Sequence, residues 1–521
     1  MKPADLRTFD DSCYLALKAR DARFDGNFFT GVTSTGIYCR PVCRVRTPKR
    51  ENCRFFAQAA QAELAGFRPC LRCRPELAPG QGGPGANAKL AAWSMQDAGN
   101  ILAQQAARLM DGLHLANDQL LNMTSLALRL GISDRHLRRI FVTQFGMSPL
   151  QYLQTRRLLC AKQLLTDTEL SVTQVATLSG FASVRRFNTV FASQYKLNPT
   201  ELRQHRKRAS PGNGSQGTEV QLAYRPPYDA QAMLQFFDRR SLTGIEVVSP
   251  LAPYPSLAAT LRIQQGSHTH CGWLLARFDT ARCRVLLTVS DSLADALPAV
   301  LAQVRTLLDL DADPQAINDV LQASFPLADG LRLPGALDGF ELAVRAVLGQ
   351  QVSVSAARTL CQRLVAAFGE PIATPVPGLN RLFPSPQRLT DVSGDALGQL
   401  GIVRQRQRAI LALAQAVSRK QLALDPAADL PSTLAALQAL PGIGDWTAQY
   451  IAMRALAWPD AFPAGDVALH KALGLQGMAQ PAQAALAASH AWQPWRSYAV
   501  IRAWAGMSAL ASDAQPTKTA P

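Results

Sequence analysis

The sequence predicts a multidomain, mainly α-helical protein in which two small α/β domains alternate with two helical domains. Its 521 residues exceed what one hydrophobic core usually organises, and a hydrophobic content of 48% is ordinary for a globular protein. Two segments rich in Gly, Pro, Ser and Asn, 77–88 and 209–218, have no hydrophobic period and are predicted to be linkers. Composition and periodicity together predict four domains, 1–76, 95–208, 219–308 and 309–510, followed by a polar tail.

The positive charge of the chain is concentrated in its N-terminal part. Residues 1–208 contain 30 Lys and Arg against 15 Asp and Glu, a net charge of +15 out of +16 for the whole chain. An excess confined to one part favours a polyanion such as nucleic acid as partner, and a merely soluble basic surface is the alternative. The sequence has no apolar run of about 18 residues and no apolar signal-peptide core. We therefore expect a cytoplasmic protein without a membrane partner.

Four cysteines in the first predicted domain have the spacing of a metal site. Three residues separate Cys39 from Cys43, two separate Cys70 from Cys73, and 26 lie between the two pairs. Two close pairs joined by a longer loop suit tetrahedral zinc, which takes four soft ligands from two short turns. In a reducing compartment, clustered cysteines favour metal binding over disulfides. The sequence therefore predicts one Zn²⁺ in a small zinc-bound α/β domain.

The segments around these cysteines, FFTGVTSTGIYCRPVCRVR and AGFRPCLRCRPEL, resemble the N-terminal domain of the Ada family of methyltransferases and regulators. The resemblance covers most of residues 5–76. It implies that Cys39 is both a zinc ligand and the acceptor of a methyl group from a methylated DNA phosphate. Zinc would keep Cys39 as a thiolate, which is the nucleophilic form. Methylation would change the formal charge of the site from −2 to −1 and so raise DNA affinity; four inert ligands are the alternative.

The second predicted domain has a helical period throughout and contains two successive helix-turn-helix patterns. In LALRLGISDRHLRRIFVTQFG, Gly131 predicts the turn and Ser133 the N-cap of the second helix. In VTQVATLSGFASVRRFNTVFASQYKLNPTELR, Gly180 and Ser183 have the same roles. Second helices of such units enter the major groove of DNA. The residues expected to face DNA are Arg135, Arg138, Arg185 and Arg186.

The GFAS-x3-F-x3-F pattern followed by NPTELR resembles the AraC-type DNA-binding domain, which is a double helix-turn-helix. This resemblance implies that the two recognition helices contact successive turns of promoter DNA. It also implies gene regulation, with RNA polymerase as a further candidate partner. The alternative is a solvated helical bundle whose arginines are simply exposed.

The third predicted domain is a small α/β domain, because short apolar strands such as IEVVSPL and CRVLLTVS alternate with helices. The fourth is predicted to be all-α and contains the turn Leu440-Pro441-Gly442-Ile443-Gly444 between two helices, a helix-hairpin-helix. Gly442 and Gly444 would let the backbone approach a DNA phosphate, which the amides of the hairpin would bind. Binding by amides needs little net charge, in agreement with the near-neutral C-terminal half. A plain hairpin turn is the alternative.

Residues from about Tyr224 to Gly506 resemble the AlkA family of 3-methyladenine DNA glycosylases II. The segments that carry this resemblance include PPYD at 226–229, LRLPGALDGFELAVRAVLGQQVSV at 331–354, LPGIGDWTAQYIAMR and PWRSYAVIRAW. The resemblance implies base flipping in double-stranded DNA and hydrolysis of the N-glycosidic bond of alkylated purines. Asp466, 22 positions after Gly444, would stabilise the oxocarbenium-like sugar and position or activate water. A helix N-cap is the other reading of Asp466, and both can hold.

Further residues follow from the same resemblance. Trp446, Tyr450 and Trp504 align with the aromatic base pocket of the family, and Tyr228 is a further contributor. For each aromatic residue taken alone, core packing is the alternative. Gln351 occupies the position of the family's apolar wedge, which fills the gap left by the flipped base.

Some family features are replaced or absent. Trp446 stands where lyase-type glycosylases carry Lys, which favours monofunctional hydrolysis. No cysteine follows Cys361, so we expect no iron–sulfur cluster, and without a Pro-Cys-His-Arg motif we expect no reversal of O6-methylguanine. Asp445 and Asp460, the competing carboxylates, are expected to face solvent.

The sequence as a whole predicts a DNA alkylation-repair protein that acts on double-stranded DNA. A monofunctional glycosylase in the C-terminal half would be joined to a zinc-thiolate methyl acceptor and a transcription regulator of an adaptive response. The alternative is a repair-only glycosylase whose N-terminal half tethers it to DNA without regulating genes.

Overall fold

The computed structural model describes residues 3–79, 102–103, 105–107, 109–110, 123–207, 217–251, 254–265 and 268–513. Most of each predicted linker, 77–88 and 209–218, and of the polar tail lies outside these residues. The described residues form two compact units. The first contains those up to Arg225 and those of Ile263–Ala302, and the second contains those of Pro226–Arg262 and from 303 onward.

The N-terminal part of the first unit is the predicted small α/β domain. Its elements are α1 (Pro3–Ala19), β1 (Phe29–Val32), β2 (Ile37–Cys39), β3 (Cys53–Phe56), α2 (Ala59–Leu64) and β4 (Arg68–Pro69). The four strands form one sheet in the order β3-β1-β2-β4, in which β1 is antiparallel to both neighbours and β4 is parallel to β2. Phe29 and Tyr38 pack with Phe67 in the core beneath this sheet. The end of β2, where Cys39 lies, is thereby held in place by this core.

The predicted helix-turn-helix pair is confirmed in the same unit. Its helices are α3 (Met123–Arg129), α4 (Asp134–Phe145), α5 (Pro149–Asp167), α6 (Val172–Leu178), α7 (Val184–Tyr195) and α8 (Pro199–Lys207). Gly131 and Gly180 adopt positive φ, 66° and 78°, at the two predicted turns. Ser133 and Ser183 accept hydrogen bonds from the backbone N–H three residues later and so cap α4 and α7. The turn chemistry visible in the sequence therefore determines where both second helices begin.

Residues 218–307 contain both strands and helices, as predicted for the second α/β domain, but the predicted alternation is only partial, because four strands follow one another without an α-helix between them. The elements are β5 (Thr218–Ala223), α9 (Ala230–Asp238), β6 (Glu246–Ser249), β7 (Ser256–Gln265), β8 (His268–Asp279), β9 (Arg284–Val289) and α10 (Leu297–Leu307). Within the first unit, β9 pairs antiparallel with β5 and β8. Within the second unit, β6 pairs antiparallel with β7.

The rest of the second unit is helical, as predicted, apart from two strands of two residues each. Its elements are α11 (Pro314–Leu321), α12 (Gly339–Leu348), α13 (Val354–Phe368), β10 (Glu370–Pro371), β11 (Arg381–Leu382), α14 (Pro386–Thr390), α15 (Gly394–Gln399), α16 (Arg404–Ser418), α17 (Leu430–Gln438), α18 (Asp445–Arg454), α19 (Val467–Ala472), α20 (Pro481–Ser489) and α21 (Arg496–Asp513). None of the helices in the described part of the chain is both long and apolar enough to cross a bilayer.

Helix α18 lies between two hydrophobic clusters of the second unit. Ala448 and Ile451 belong to one cluster, with helices α12 and α16, whereas Ala452 and Met453 belong to the other, with α21. Burial on both sides explains why α18 has apolar residues all round rather than a single apolar stripe. The position of its N-terminus, where the hairpin joins it, is therefore fixed by the packing of the residues from Thr447 onward.

Candidate active site and metal centre

The predicted hairpin connects α17 to α18 and presents an uncapped helix N-terminus. Gly442 has a φ of 78°, and a Cβ there would lie only 3.3 Å from the Ala409 side chain. Gly444 is exposed, a Cβ on it would meet nothing within 4 Å, and no side chain of the described residues caps the helix that it begins. The first amides of α18 therefore have no intrahelical acceptors, which is the usual arrangement of a backbone phosphate site.

The carboxylate of Asp466 is held by three hydrogen bonds. Its Oδ1 accepts from the backbone N–H of Leu469 at 2.7 Å and from Nε1 of Trp504 at 3.1 Å, and its Oδ2 accepts from Nε1 of Trp446 at 2.9 Å. The first of these bonds is the predicted N-cap of α19. A carboxylate has about four acceptor positions, so one position on Oδ2 remains open. The side chain is 9% exposed and thus largely shielded from water.

The three predicted pocket aromatics lie together beside this carboxylate. Trp446 and Tyr450 are stacked, with ring centroids 5.4 Å apart and planes 13° apart, and Trp504 is tilted by 43° at 6.4 Å from Tyr450. A base between two parallel rings needs a separation of about 7 Å, because stacked atoms approach to about 3.5 Å. In this arrangement, a base does not fit between the rings of the Trp446–Tyr450 pair.

Three residues that the sequence interpretation missed surround Tyr450. Arg454 donates from Nη1 to the hydroxyl of Tyr450 at 2.9 Å and from its other nitrogens to the carbonyls of Pro334 and Gly335. Arg240 lies 3.7 Å over the ring of Phe236, which Arg454 also faces at 4.8 Å. The four-residue spacing of Tyr450 and Arg454 puts both on one face of α18, a signal present in the sequence, whereas Arg240 lies two residues beyond the end of α9.

Two nearby guanidinium groups change the acidity of Tyr450. Burial alone would raise its pKa, but the charges of Arg454 and Arg240 outweigh this effect, so its pKa lies below the usual value. The hydroxyl of Tyr450 is thus a stronger acid than that of an isolated tyrosine.

Tyr228 and Gln351 lie in two other parts of the second unit. Tyr228 donates its hydroxyl to the carbonyl of Leu308 at 2.6 Å, and Arg332 lies 5.0 Å from its ring centroid. Gln351 is exposed between α12 and α13 and has a φ of 54°, a left-handed conformation that is uncommon outside glycine.

The two competing carboxylates differ from each other. Asp445 is exposed, as predicted. The prediction that Asp460 faces solvent is wrong: both of its oxygens accept from the guanidinium of Arg496 at 2.8 Å, and its side chain is only 18% exposed. The partner lies 36 residues away along the chain, so local patterning could not reveal it.

The four predicted zinc ligands meet in the first unit. The Sγ atoms of Cys39, Cys43, Cys70 and Cys73 all lie within 4.8 Å of one another. Hydrogen bonds among the sulfurs lower the pKa of Cys43 to about 7 and also lower that of Cys70, whereas they raise the pKa values of Cys39 and Cys73. Tetrahedral zinc with Zn–S bonds of about 2.3 Å needs four sulfurs about 3.8 Å apart and supplies the missing positive charge. The donor set therefore fits zinc.

The surroundings of this cysteine cluster are basic and well ordered. Arg40 donates its backbone N–H to Sγ of Cys73 at 3.3 Å and its Nη1 to the Cys73 carbonyl at 3.0 Å, and its guanidinium pairs with buried Asp25. Cys39 is 5% exposed, and Cys73 is the only one of the four cysteines that is partly exposed. The exposed cations beside the ligands are Arg44, Arg46 and Arg72.

The four arginines expected to face DNA are all exposed on the second helices of their helix-turn-helix units. Arg138 forms an ion pair with Asp134 at 2.9 Å, one turn earlier on α4. Because the pair is exposed, its free energy is small and a phosphate or base can replace the partner.

Four families match consecutive parts of the chain. They are the metal binding domain of Ada at residues 12–76, a helix-turn-helix domain at 126–205, the AlkA N-terminal domain at 219–338, and the HhH-GPD superfamily of base excision DNA repair proteins at 344–497.

Curated relatives resemble either the whole chain or one of its halves. A Mycobacterium tuberculosis protein described as a probable bifunctional transcriptional activator/DNA repair enzyme AlkA is 37% identical over 502 residues, which cover 95% of this chain and 96% of the relative. The Escherichia coli DNA-3-methyladenine glycosylase 2 is 35% identical over 283 residues, 54% of this chain and 95% of the relative. The Bacillus subtilis bifunctional transcriptional activator/DNA repair enzyme AdaA is 30% identical over 211 residues, 40% of this chain and 90% of the relative. The chain thus belongs to the family of bifunctional transcriptional activator/DNA repair proteins, in which Ada-type metal-binding and helix-turn-helix domains precede an AlkA-type HhH-GPD domain.

Proposed function

We propose that the C-terminal half is a monofunctional DNA glycosylase that releases alkylated purines of the 3-methyladenine type. The observation that carries this proposal is the carboxylate of Asp466, which is held by the indole N–H groups of Trp446 and Trp504 and retains one open acceptor position. The curated name of the Escherichia coli relative supports the same substrate class.

The residues suggest a division of labour during excision. The amides of the hairpin bind a phosphate, and the flipped base stacks on the face of Trp446 or Tyr450 that is open. Alkylation at N3 or N7 makes that base cationic and therefore a good leaving group. As its bond to the sugar breaks, the open position on Asp466 stabilises the positive charge of the sugar and orients the attacking water. Tyr228 contributes by packing rather than by a hydrogen bond to the base, because its hydroxyl already donates to the carbonyl of Leu308.

We expect Asp466→Asn to lower the single-turnover rate of 3-methyladenine excision at least about 100-fold, since a neutral amide cannot stabilise the sugar cation. The Kd for duplex DNA should change less than about twofold, because Asn still accepts the Leu469 N–H as an N-cap. Asp313→Asn is the matched control, since Asp313 caps α11 in the same way. Wild-type excision by Asp466→Asn would end this assignment.

We further propose that the N-terminal half accepts methyl groups from DNA methylphosphotriesters and regulates genes. Bound zinc would be held by Cys39, Cys43, Cys70 and Cys73 and would keep the sulfurs ionised at neutral pH. The thiolate of Cys39 attacks the methyl carbon, an S–C bond forms as the C–O bond breaks, and the phosphodiester leaves as an anion. Its position in the family motif, rather than its exposure, supports Cys39 as the acceptor.

Methylation would remove one formal negative charge from a cluster flanked by Arg44, Arg46 and Arg72, and DNA affinity should rise. The first unit contains the four cysteines and also both helix-turn-helix units, which supports a role in promoter recognition. Contact with RNA polymerase belongs to this regulatory proposal. A tether without regulation is the second candidate, since the basic surface alone would suffice for it.

Peptide mapping by mass spectrometry after incubation with methylated DNA should find one methyl group per chain, on Cys39. Cys39→Ser should accept none, whereas Cys13→Ser, which changes a buried cysteine outside the cluster, should behave as wild type. A methyl group on partly exposed Cys73 would reassign the acceptor. If methylation leaves DNA affinity unchanged, the N-terminal half is a DNA tether and the proposal that it regulates genes is contradicted.

A further inference from the structure

The loop between α12 and α13 is tied to the hairpin by one side chain, that of Gln350. Its Nε2 donates to the carbonyl of Gly442 at 2.8 Å and to Oγ1 of Thr447 at 2.9 Å. These contacts use both N–H groups of the amide, so the donor is fully satisfied. The backbone carbonyl of Gln350 in turn accepts from the guanidinium of Arg406 on α16. Loop, hairpin and the first turn of α18 are therefore connected through a single residue.

The next residue, Gln351, is held in an unfavourable conformation. Its φ of 54° is left-handed although it carries a Cβ, and its side chain is exposed. The chain is fixed on both sides of this position, by the contacts of Gln350 with the hairpin and, two residues further on, by Ser353, which caps α13 by accepting from the backbone N–H of Ala356. Strained backbone of this kind persists only where the surrounding structure enforces it, and it is concentrated at functional sites.

We propose that Gln350 is a positioning residue that sets the distance between the phosphate-binding hairpin and Gln351. When the hairpin binds a DNA phosphate, Gln351 is placed at the base stack in the same binding event. Gln351 then fills the gap as the damaged base leaves the stack. This inference rests on the proposed glycosylase function and on Gln351 as the wedge.

The geometry explains why the link matters for flipping more than for chemistry. Without these two contacts, the loop loses its only side-chain hydrogen bonds to the hairpin and to α18 among those of the described residues, while Asp466 and its indole donors are unaffected. Displacement of a positioned group by about 1 Å can lower a rate by up to about 100-fold. The loss should therefore be confined to substrates whose damaged base is still stacked and paired.

The test compares single-turnover excision of 7-methylguanine from two duplexes. In one duplex the base is paired, and in the other it is an unpaired single-nucleotide bulge. For Gln350→Met, which has a similar length but no donor, we expect a loss of about 10–100-fold on the paired substrate and less than about threefold on the bulge. Equal losses on both substrates, or no loss on the paired one, would overturn the proposal.

Gln362→Met is the matched control. Gln362 also forms two side-chain hydrogen bonds, with the backbone N–H and carbonyl of Thr243 at 2.8 and 3.0 Å, but it links α13 to a segment other than the hairpin. It should excise from both substrates as the wild type does. A loss on paired DNA equal to that of Gln350→Met would show that any such link suffices and would refute the special role of Gln350.

A double-mutant cycle separates this inference from the functions on which it rests. Gln350→Met should lower the rate on paired DNA much less in a Gln351→Ala background, because the two residues act through one step. Additive effects would overturn the coupling. If Gln351→Ala excised at wild-type rates, Gln351 would not be the wedge. If the wild-type protein were inactive on both substrates, the proposed glycosylase function would be contradicted instead.

Discussion

Asp466 combines two roles that draw on the same set of oxygen lone pairs. As N-cap it accepts the N–H of Leu469, and as the carboxylate of the site it accepts two indole N–H groups. Asn would also cap the helix, but it has only one acceptor oxygen and could not satisfy both Trp446 and Trp504. A carboxylate is therefore the side chain that can cap α19, orient two aromatic rings and still retain an acceptor for the substrate.

A second aspartate, Asp309, should make the second unit sensitive to pH. Burial raises its pKa to about 7, although it accepts hydrogen bonds from Tyr498 and the backbone of Leu333. The native state thus holds a proton that the unfolded chain releases above its ordinary pKa of about 3.9. The resulting stability is complete below that pKa and is lost as pH rises to about 7.

We expect Asp309→Asn to remove this part of the pH dependence. Asn tolerates the φ of 50° at this position, so the backbone should not change. The stability difference between wild type and variant should shift by about 2–3 kcal/mol in favour of the variant between pH 5 and 8. Denaturant unfolding can be followed by tryptophan fluorescence, since five of the seven tryptophans lie beyond residue 440. A constant difference across this pH range would contradict the prediction.

Helix α5 joins the cysteine domain to the helix-turn-helix pair. Thr155, Leu159 and Lys162 lie on one helical face, at spacings of four and three residues. Thr155 donates to Glu63 at 2.9 Å, Leu159 enters the core around Phe29, and Lys162 donates to the carbonyl of Cys70, one of the proposed zinc ligands, at 3.3 Å. The sequence suggested domains joined by a linker, but within the first unit they share a core and a buried ionic network.

Lys162 supplies the buried positive charge at the contact between α5 and the cysteine domain, because it is 2% exposed and pairs with buried Glu76. We expect Lys162→Met to destabilise α5 against the cysteine domain by about 3–5 kcal/mol, since it leaves a buried carboxylate with one partner fewer. Native-state hydrogen exchange of α5 and β4 would measure the loss. Lys49→Met, at an exposed ion pair of 3.7 Å, should change exchange by less than about 0.5 kcal/mol. Equal effects of the two changes would contradict the buried role of Lys162.

The whole molecule combines two chemistries with different requirements. The proposed methyl acceptor in the basic N-terminal part depends on a metal that keeps four thiols together as thiolates, whereas the proposed excision site of the second unit consists of a carboxylate, aromatic rings and backbone amides. Each set of groups lies inside one compact unit. The two activities should therefore be separable in the intact chain.

Removal of metal by a chelator should show this separation. We expect methyl acceptance to be lost and hydrogen exchange of residues 3–79 to accelerate, because a structural zinc site contributes folding free energy. Excision of 3-methyladenine should stay within about twofold of the untreated protein, and added zinc should restore methyl acceptance. A parallel loss of excision on chelation would contradict the independence of the two sites.

The amino-acid sequence by itself determined the features that depend on short-range chemistry. The spacing of Cys39 and Cys43, the turns at Gly131 and Gly180, and the capping position of Asp466 all involve partners within a few residues, so their residue types are diagnostic. Only the tertiary structure decided which distant residues complete the sites. Gln350 meets Gly442 across 92 residues and Lys162 meets Glu76 across 86, while Asp460 is withdrawn from solvent by Arg496. Such contacts depend on which helix faces pack together, and that is settled by the burial of the whole core rather than by any local pattern.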